Sequence, residues 1–289
     1  MNTPGRKGSR CWVTFFNSKS YLPGVLVLAH SLAKHKSVYP LLILYTSDIG
    51  EDCEMILKLE AARSPNLQIH PIKALLPRQS QKPKGRSFDR FKDVFTKLRI
   101  FEVFRLGFDK CVYLDADVAV FRQPDDLFNI HLPDGTWIAA AHYCVCNRDR
   151  ATWAAQDWTK ENCAFTPQTE PDGEATVIYE GSRPTYHALN AGVLLFHPSD
   201  ILLQRLLQKF STSQKLKEYQ CPDQDFLTDC FRNQWKPVPW YYNAQKRFPY
   251  VHPLMWSDDK VVILHYICDK PWHRRIGVTA LPATVVATV

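Results

Sequence analysis

The sequence predicts an α/β fold, with a mostly parallel central sheet and helices flanking it. Short apolar runs alternate with capped, helix-like segments through residue 72, in the order β-α-β-α-β. That order joins strands through crossover helices, which favours parallel pairing. The chain has 289 residues, enough for one large domain of this kind.

The first elements are predicted from apolar runs and turn signals. Runs at 11–16, 41–45 and 67–72 have the length and composition of buried strands. Pro23 stands where helices often begin, and apolar residues follow it at helical spacing. The turn at 48–51 precedes a second helix.

The later elements are less regular. A loop rich in proline and lysine at 77–87 precedes a predicted helix over 90–106, and residues 142–184 are predicted to be an irregular excursion from the core. The other predicted elements are strands at 112–120, 136–141, 190–196 and 261–265, and helices after 198–200 and from about Pro222.

Two aspartates interrupt the apolar run at 112–120. Burying Asp115 and Asp117 there costs several kcal/mol unless each is paired or bound to a metal. Residues two apart on an extended segment share a face, so the pair predicts a site for Mn²⁺ or Mg²⁺ that could clamp a diphosphate. A chance pair is the alternative, since Asp223 and Asp225 have the same spacing.

The formal net charge of +7 includes a local basic cluster. The cluster is either a solvated loop and helix face or a surface that attracts an anion such as a nucleotide diphosphate. Nucleic-acid binding is the weaker alternative, because no RRM, zinc-finger or helix-turn-helix signature accompanies the charge. The cluster consists of Lys82, Lys84, Arg86, Arg90, Lys92, Lys97 and Arg99.

Nine cysteines, an odd number, do not suggest a full disulfide framework. His142, Cys144, Cys146 and Cys163 raise the question of zinc, but their spacing matches no standard finger or ribbon, so no zinc site is predicted. The first ten residues lack an apolar signal segment, and no run approaches the ~20 apolar residues of a membrane span. The default expectation is a soluble, cytoplasmic protein.

Several enzyme classes lack their signatures. The sequence has no G-x-G-x-x-G after its first strand and no G-x-x-x-x-G-K, which argues against dinucleotide oxidoreductases and P-loop NTPases. It also lacks the G-x-S-x-G elbow, so a hydrolase triad has no support.

Six separated segments form one pattern along the chain. They are Val13–Leu28, Phe95–Arg99, Tyr113–Asp117, Leu189–Val193, Asp223–Leu227 and His265–Trp272. Their order and spacing over residues 11–273 resemble glycosyltransferase family 8. The resemblance implies a GT-A fold of Rossmann-like, nucleotide-sugar-binding type, a manganese ion, a UDP-sugar donor and retention of the anomeric configuration.

The resemblance also implies residue roles. Asp115, Asp117 and His265 would bind the metal, and this donor set suits Mn²⁺ better than Ca²⁺. Asp223 and Gln224 would face the anomeric carbon, with Asn190 near the sugar. The donor nucleotide and diphosphate would contact Thr14, Phe15, Asn17, Tyr21, Arg90 or Arg86, Lys97, Asp115, Ala116, Asp117, Gly192, Cys268 and Lys270.

Each role has an ordinary alternative. Phe15 could be plain core, Tyr21 a helix-start staple, Asp223 a helix cap, Lys97 a solvated helix lysine and His265 a satisfied histidine at a strand end. The loop after His265 lacks the family's usual glycine and is about one residue shorter, so Cys268 or Asp269 approaches the phosphate differently.

The sequence therefore predicts a flexible segment at 1–10, one transferase domain at 11–273 and a tail at 274–289. The predicted activity is hexose transfer from a UDP-sugar to a hydroxyl acceptor. Binding of a nucleotide sugar without turnover is an alternative. Tyr242–Asn243 followed by His252–Pro253 resembles the galactinol synthase branch of the family, which would specify galactose and myo-inositol.

Overall fold

The computed structural model of the chain describes residues 9–78, 81 and 93–273. Its ten strands are β1 (Arg10–Phe16), β2 (Leu41–Tyr45), β3 (Leu67–Pro71), β4 (Lys110–Leu114), β5 (Val118–Val120), β6 (Ile138–His142), β7 (Leu189–Phe196), β8 (Trp235–Pro237), β9 (Ala244–Gln245) and β10 (Ile263–His265). The α-helices are α1 (Leu22–Lys34), α2 (Glu51–Arg63), α3 (Asp200–Thr212), α4 (Pro222–Cys230) and α5 (Phe248–Val251).

The remaining helical elements have 3₁₀ geometry. The longest, Val94–Leu106, carries Lys97 and packs beside α3 and α4. The shorter ones are Lys19–Tyr21, Ser47–Ile49, Asp125–Asn129, Pro184–His187, Lys215–Lys217, Trp240–Asn243, Asp258–Lys260 and Pro271–His273.

Seven strands form the central sheet, in the order β3-β2-β1-β4-β7-β6-β8. Strands β3, β2, β1 and β4 pair in parallel, and β8 pairs in parallel with β6. Only β7 runs against its two neighbours, β4 and β6. The prediction of a mostly parallel sheet is confirmed.

Alternation along β1 places the two hydrophobic layers on opposite faces of the sheet. Val13 and Phe15 pack with the 3₁₀ helix Val94–Leu106, α3 and α4. Trp12 and Phe16 pack with α1 and α2 on the other face. Helices on both faces leave the carboxyl ends of the parallel strands as the edge where a ligand cleft forms.

A second, three-stranded sheet has the order β5-β10-β9. Strand β10 runs antiparallel to β5 and parallel to β9, and it ends at His265. The short strands β9 and β8 were not predicted from the sequence, because two or three residues are too few for a periodic pattern.

The elements predicted through residue 72 occur within a residue or two of the expected positions. The predicted single strand at 112–120 is wrong: it is two strands of different sheets, β4 and β5, separated by a turn at Asp115–Asp117. Part of the helix predicted over 90–106, residues 1–8 of the segment predicted at 1–10, and the tail predicted at 274–289 lie outside the described residues. No helix in the described ranges combines the length and apolar character needed to cross a bilayer.

Candidate functional site

The site is built on the turn that links the two sheets. Asp115 donates its backbone N–H to the carbonyl oxygen of Gly192 on β7 at 2.8 Å. Tyr266, just after β10, donates its backbone N–H to the carbonyl oxygen of Asp117 at 3.0 Å. The two aspartates are therefore held by a turn tied to both sheets, rather than by the shared face of an extended strand.

The turn brings both carboxylates to the histidine predicted from the resemblance. His265 Nε2 lies 3.4 Å from Asp117 Oδ1 and 3.7 Å from Asp115 Oδ2. The three candidate ligand atoms all lie within 4.8 Å of one another. Two carboxylate oxygens and one imidazole nitrogen fit a divalent cation such as Mn²⁺.

A hydrogen bond sets the orientation of the His265 ring. Its Nδ1 lies 2.8 Å from Oδ1 of Asn243. An amide oxygen only accepts, so Nδ1 carries a ring proton and Nε2 is the nitrogen that faces the aspartates. A metal-binding histidine needs this tautomer, and an acceptor on the far nitrogen is its usual means of support.

Gly192 is required because the His265 ring packs against it. A Cβ built on Gly192 would lie 2.7 Å from His265 Nδ1 and would overlap the ring carbon beside it. Real Cβ atoms do not approach so closely, so this position excludes a side chain. The close contact at Gly192 is therefore made by a side chain of the site itself.

Buried amides extend the network from His265. Asn243 Nδ2 donates to Asn190 Oδ1 at 2.8 Å, and Asn190 Nδ2 donates to Gln224 Oε1 at 3.1 Å. The backbone N–H of Gly192 also donates to Asn190 Oδ1, at 3.0 Å. Two of the predicted catalytic residues, Asn190 and Gln224, are thereby coupled to the candidate metal ligand.

Lys97 bridges two acids of the site. Its Nζ lies 3.0 Å from Asp115 Oδ1 and 2.9 Å from Asp223 Oδ2. Its side chain is only 6% exposed, so the alternative of a solvated helix lysine is wrong. Burial opposes the charge of Lys97, but Asp115 and Asp223 outweigh it and raise its pKa above the ordinary value.

Asp117 lies between the Lys270 ammonium group and the His265 ring. Lys270 Nζ donates to Asp117 Oδ2, and His265 faces the other carboxylate oxygen. Burial favours the neutral acid, but His265 and Lys270 overcome that effect and hold the pKa of Asp117 below its ordinary value. Asp117 is therefore a carboxylate at neutral pH, as a metal ligand must be.

Asp223 lies in the first turn of α4 and lines the cleft. Asp225 Oδ2 accepts the backbone N–H groups of Gln220 and Cys221, each at 2.9 Å. The cap alternative for Asp223 is wrong, because the N-cap residue of α4 is Cys221 and Asp223 lies within the first turn. Asp223 instead reaches Lys97 across the cleft.

An open cleft of ≈ 490 Å³ adjoins the aspartates. Thr14 does not line it: its side chain is fully buried, and its hydroxyl has no hydrogen-bond partner among the described residues. Lys270 Nζ lies 5.9 Å from the ring centroid of Tyr21, within reach of a cation–π interaction. The lining residues include Phe15, Asn17, Tyr21, Lys97, Asp115, Ala116, Asp117 and Asp223.

The loop between His265 and Lys270 takes a strained path. Ile267 and Cys268 have φ values of 22° and 52°, in the region that favours glycine. Family members usually have a glycine in this loop. Here Ile267 and Cys268 adopt backbone conformations that a glycine would adopt more easily. Cys268 is exposed, and Lys246 Nζ donates to the carbonyl oxygen of Asp269 at 2.6 Å.

The segment after Lys270 is anchored beside the first helix. Trp272 Nε1 donates to the carbonyl oxygen of Ser20 at 2.9 Å. A Cβ on Gly24 would overlap both the Trp272 ring and the carbonyl oxygen of Ala116, so glycine permits this contact. Arg86 and Arg90, the two candidates for a donor contact, lie outside the described residues.

Two residues of the site were not predicted from the sequence. Asn243 was noted only as part of a branch resemblance, and Tyr113 only as a member of the segment Tyr113–Asp117. Tyr113 donates its hydroxyl to Asp115 Oδ1 at 2.6 Å. Both roles depend on partners in other segments or on side-chain direction, so local sequence patterns do not reveal them.

Comparisons with known proteins identify the family to which the chain belongs. The model of the family described as "Glycosyl transferase family 8" matches residues 12–275. The chain is 32% identical over 276 residues to "Galactinol synthase 1" of Solanum lycopersicum, covering 94% of this chain and 76% of the relative.

Solved structures share the fold. The galactosyltransferase LgtC, in complex with donor and acceptor sugar analogues, matches with a TM-score of 0.56 at 17% identity, over 91% of this chain and 89% of LgtC. The bifunctional glycosyltransferase WbbM matches with a TM-score of 0.62 at 17% identity, over 94% of this chain and 48% of WbbM. This chain thus spans about half the length of WbbM. The GT-A fold predicted from the sequence is confirmed.

Proposed function

Because this chain belongs to glycosyltransferase family 8, we propose that it is a retaining, manganese-dependent enzyme that moves a hexose from a UDP-sugar to a hydroxyl acceptor. The family and the enzyme class, a hexosyltransferase, agree with the relatives and structural neighbours described above. The metal, the donor nucleotide and the stereochemistry are the parts that we add.

One observation carries the proposal: Asp115, Asp117 and His265 meet at the cleft from segments far apart in the sequence. The orientation of the His265 ring by Asn243 supports metal binding, because the bond occupies Nδ1 and leaves Nε2 as the nitrogen that faces the carboxylates. A satisfied structural histidine would not need two aspartates at 3.4 and 3.7 Å from its second nitrogen.

A divalent cation on these residues would supply Lewis-acid stabilisation of the negative charge that develops on a departing diphosphate. Mn²⁺ is proposed, with Mg²⁺ as the alternative. Lys270 adds a positive charge at the same place, since its Nζ contacts Asp117. An ammonium aimed at the leaving group stabilises the transition state more than the ground state.

The acids and amides opposite this charge would orient the sugar. Lys97 fixes the Asp223 carboxylate, which faces the cleft. Asn190 and Gln224 hold each other through their amides, so neither needs to reorganise when a sugar binds. We propose that Asp223 stabilises the oxocarbenium-like transition state of glycosyl transfer and that Asn190 and Gln224 position the ring.

For the substrates, we propose UDP-galactose as donor and myo-inositol as acceptor. The support is the similarity to galactinol synthases, at 32% identity over nearly the whole chain. Stacking of the uracil on Phe15 or Tyr21 is compatible with their places in the cleft wall.

The test is an enzymatic assay that measures UDP release and product formation with the proposed metal, donor and acceptor. The purified protein, supplied with Mn²⁺ and UDP-galactose, is expected to release UDP and to form an α-linked product with myo-inositol, read by NMR of the anomeric proton. An inverted product would overturn retention. UDP binding by calorimetry with no turnover over a broad acceptor panel would instead favour a binding protein.

We also propose that residues 11–273 act as one transferase domain and that the enzyme works in the cytoplasm. The family match over 12–275 supports the domain bounds. All nine cysteines are free, which is the usual state in a reducing compartment. Fractionation of cells that express the tagged protein tests the location.

A further inference from the structure

A second group of metal-binding side chains lies outside the cleft. Cys144, Cys146, Cys163 and His252 place their three sulfur atoms and one ring nitrogen within 4.8 Å of one another. We call these four residues the Cys₃His cluster. None of them belongs to the site that holds Asp115, Asp117 and His265.

The geometry points to a structural zinc ion bound by the Cys₃His cluster. His252 Nε2 lies 3.5, 3.2 and 3.5 Å from the sulfur atoms of Cys144, Cys146 and Cys163. A tetrahedral zinc ion, with Zn–S of about 2.3 Å and Zn–N of about 2.0 Å, separates nitrogen from sulfur by about 3.5 Å. The observed spacings are those of one nitrogen and three sulfurs around a common centre.

A disulfide explains the cluster less well. One bond would join two of the three cysteines at about 2.05 Å, leaving the third cysteine and His252 without a reason to converge. Nitrogen at similar distances from all three sulfurs is what a shared metal produces. Three thiolates and an imidazole select zinc over Mn²⁺ or Mg²⁺, which prefer oxygen.

The surroundings indicate a structural ion rather than a catalytic one. Cys144, Cys163 and His252 are buried. A hydrophobic cluster that includes Phe165 and Phe248 surrounds them, and each of these two rings lies 5.7 Å from the His252 ring. Four protein ligands close the tetrahedron, whereas a catalytic zinc keeps a position for water or substrate.

The positive charge of Arg247 beside the Cys₃His cluster is also consistent with a bound zinc ion. Three thiolates with Zn²⁺ carry one net negative charge, and burying that charge is costly without a partner. Arg247 supplies one: its Nη2 donates to the carbonyl oxygen of Cys144 at 2.8 Å. Its Nε donates to Gln245 on β9, the residue that pairs with His265.

The ion would fasten the excursion between β6 and β7 to the rest of the fold. Residues 143–183 contain no helix or strand, and loops of that length are uncommon without their own stabilisation. Cys144 and Cys146 lie just after the end of β6, Cys163 lies in the middle of the excursion, and His252 directly follows α5. One zinc ion would therefore cross-link three segments that have few regular hydrogen bonds.

The sequence pointed to the wrong histidine. The ring nitrogens of His142 face the carbonyl oxygens of Tyr186 and Thr176 at 3.0 and 2.7 Å, so His142 does not join the cysteines. The fourth ligand is His252, 89 positions after Cys163. No finger or ribbon pattern has that separation, which is why spacing argued against zinc.

Metal analysis of the whole purified protein tests the proposal. We expect about one zinc ion per chain in the wild type and in Asp117→Asn, since Asp117 belongs to the other site. Zinc content should fall close to zero in Cys163→Ser and His252→Ala. Cys53→Ser, which alters a buried cysteine outside the cluster, is the control and should retain its zinc.

A second measurement covers variants that fail to fold. Wild-type protein with Co²⁺ in place of zinc should show the visible absorption of a tetrahedral cobalt–thiolate centre and lose it on addition of a chelator. Wild type without zinc, a different stoichiometric metal, a disulfide among the three cysteines in non-reducing mass spectrometry, or no such cobalt spectrum would each overturn the proposal. So would zinc that disappears with Asp117→Asn and persists in Cys163→Ser.

Discussion

The Nδ1 atom of His265 lies 2.8 Å from the amide oxygen of Asn243. Through this contact one buried amide fixes both the tautomer and the direction of a candidate metal ligand. The same amide donates to Asn190, which in turn bonds Gln224. The candidate metal ligand and the two amides proposed to position the sugar therefore belong to one connected set of side chains.

Replacing Asn243 should weaken metal binding without removing a ligand. Loss of a partner that orients a metal-binding histidine typically costs about 10–100-fold in metal affinity, and we expect that range for Asn243→Ala in a Mn²⁺ titration by calorimetry. Asn129→Ala, at an exposed asparagine, is the control. A folded Asn243→Ala protein with wild-type Mn²⁺ affinity would show that the tautomer argument is wrong.

Gly192→Ala should displace the His265 ring. The added methyl group would overlap the imidazole, and the ring can move only by breaking its bond to Asn243. We expect lower Mn²⁺ affinity and a lower melting temperature, measured by thermal shift with and without Mn²⁺. Gly135→Ala is the matched control, because nothing lies within 4 Å of its added Cβ. Equal effects of the two substitutions would contradict the steric account.

Lys97→Met should destabilise the fold as well as lower activity. It leaves Asp115 and Asp223 facing each other without their shared cation, and breaking a buried pair in this way costs about 3 kcal/mol. The loss of unfolding free energy is measured by urea denaturation of the variant and the wild type. Lys58→Met removes an exposed partner of Glu54 and should leave the unfolding free energy near the wild-type value. A Lys97→Met protein as stable as Lys58→Met would exclude the proposed bridge.

His142 should make stability depend on pH in the acidic range. Burial lowers the pKa of His142 from 6.5 to about 4, against the opposing effect of the two carbonyl groups beside it. Between those values the unfolded chain binds the proton and the folded chain does not, so stability falls as pH drops from 6.5 towards 4. The full contribution is about 3 kcal/mol.

The check is the pH dependence of the unfolding free energy in wild type and His142→Gln. The variant should lose part of the slope between pH 6.5 and 4, whatever its stability at neutral pH. Identical slopes in the two proteins would mean that His142 takes up its proton in the folded state as readily as in the unfolded chain.

The sequence predicted the parts of the fold that depend on local pattern. Strand β2 and helix α2 are each marked by an uninterrupted apolar run or by a turn and helical periodicity. Strand β5 was missed as a separate element, because Val118–Val120 continues the apolar character of β4 while joining another sheet. Chain direction changes at the Asp115–Asp117 turn without a glycine or proline to mark it.

The sequence predicted the candidate site where a local pattern or the family resemblance pointed to its residues. Asp115 and Asp117 could be found from two charges in an apolar run. Asn243, by contrast, acts through a bond to a residue 22 positions away, and His252 reaches cysteines 89 to 108 positions away. No periodic or spacing rule extends over such separations, so these contacts had to come from the fold.

The most direct test of the central claim is Mn²⁺-dependent release of UDP from a UDP-sugar by wild type and Asp117→Asn, with exposed Asp126→Asn as the control. We expect the rate of Asp117→Asn to fall at least about 100-fold, since a group that stabilises the leaving diphosphate is lost, while Asp126→Asn keeps the wild-type rate. Equal UDP release by wild type and Asp117→Asn, at the same Mn²⁺ concentration, would contradict the assignment of the cation to Asp115, Asp117 and His265.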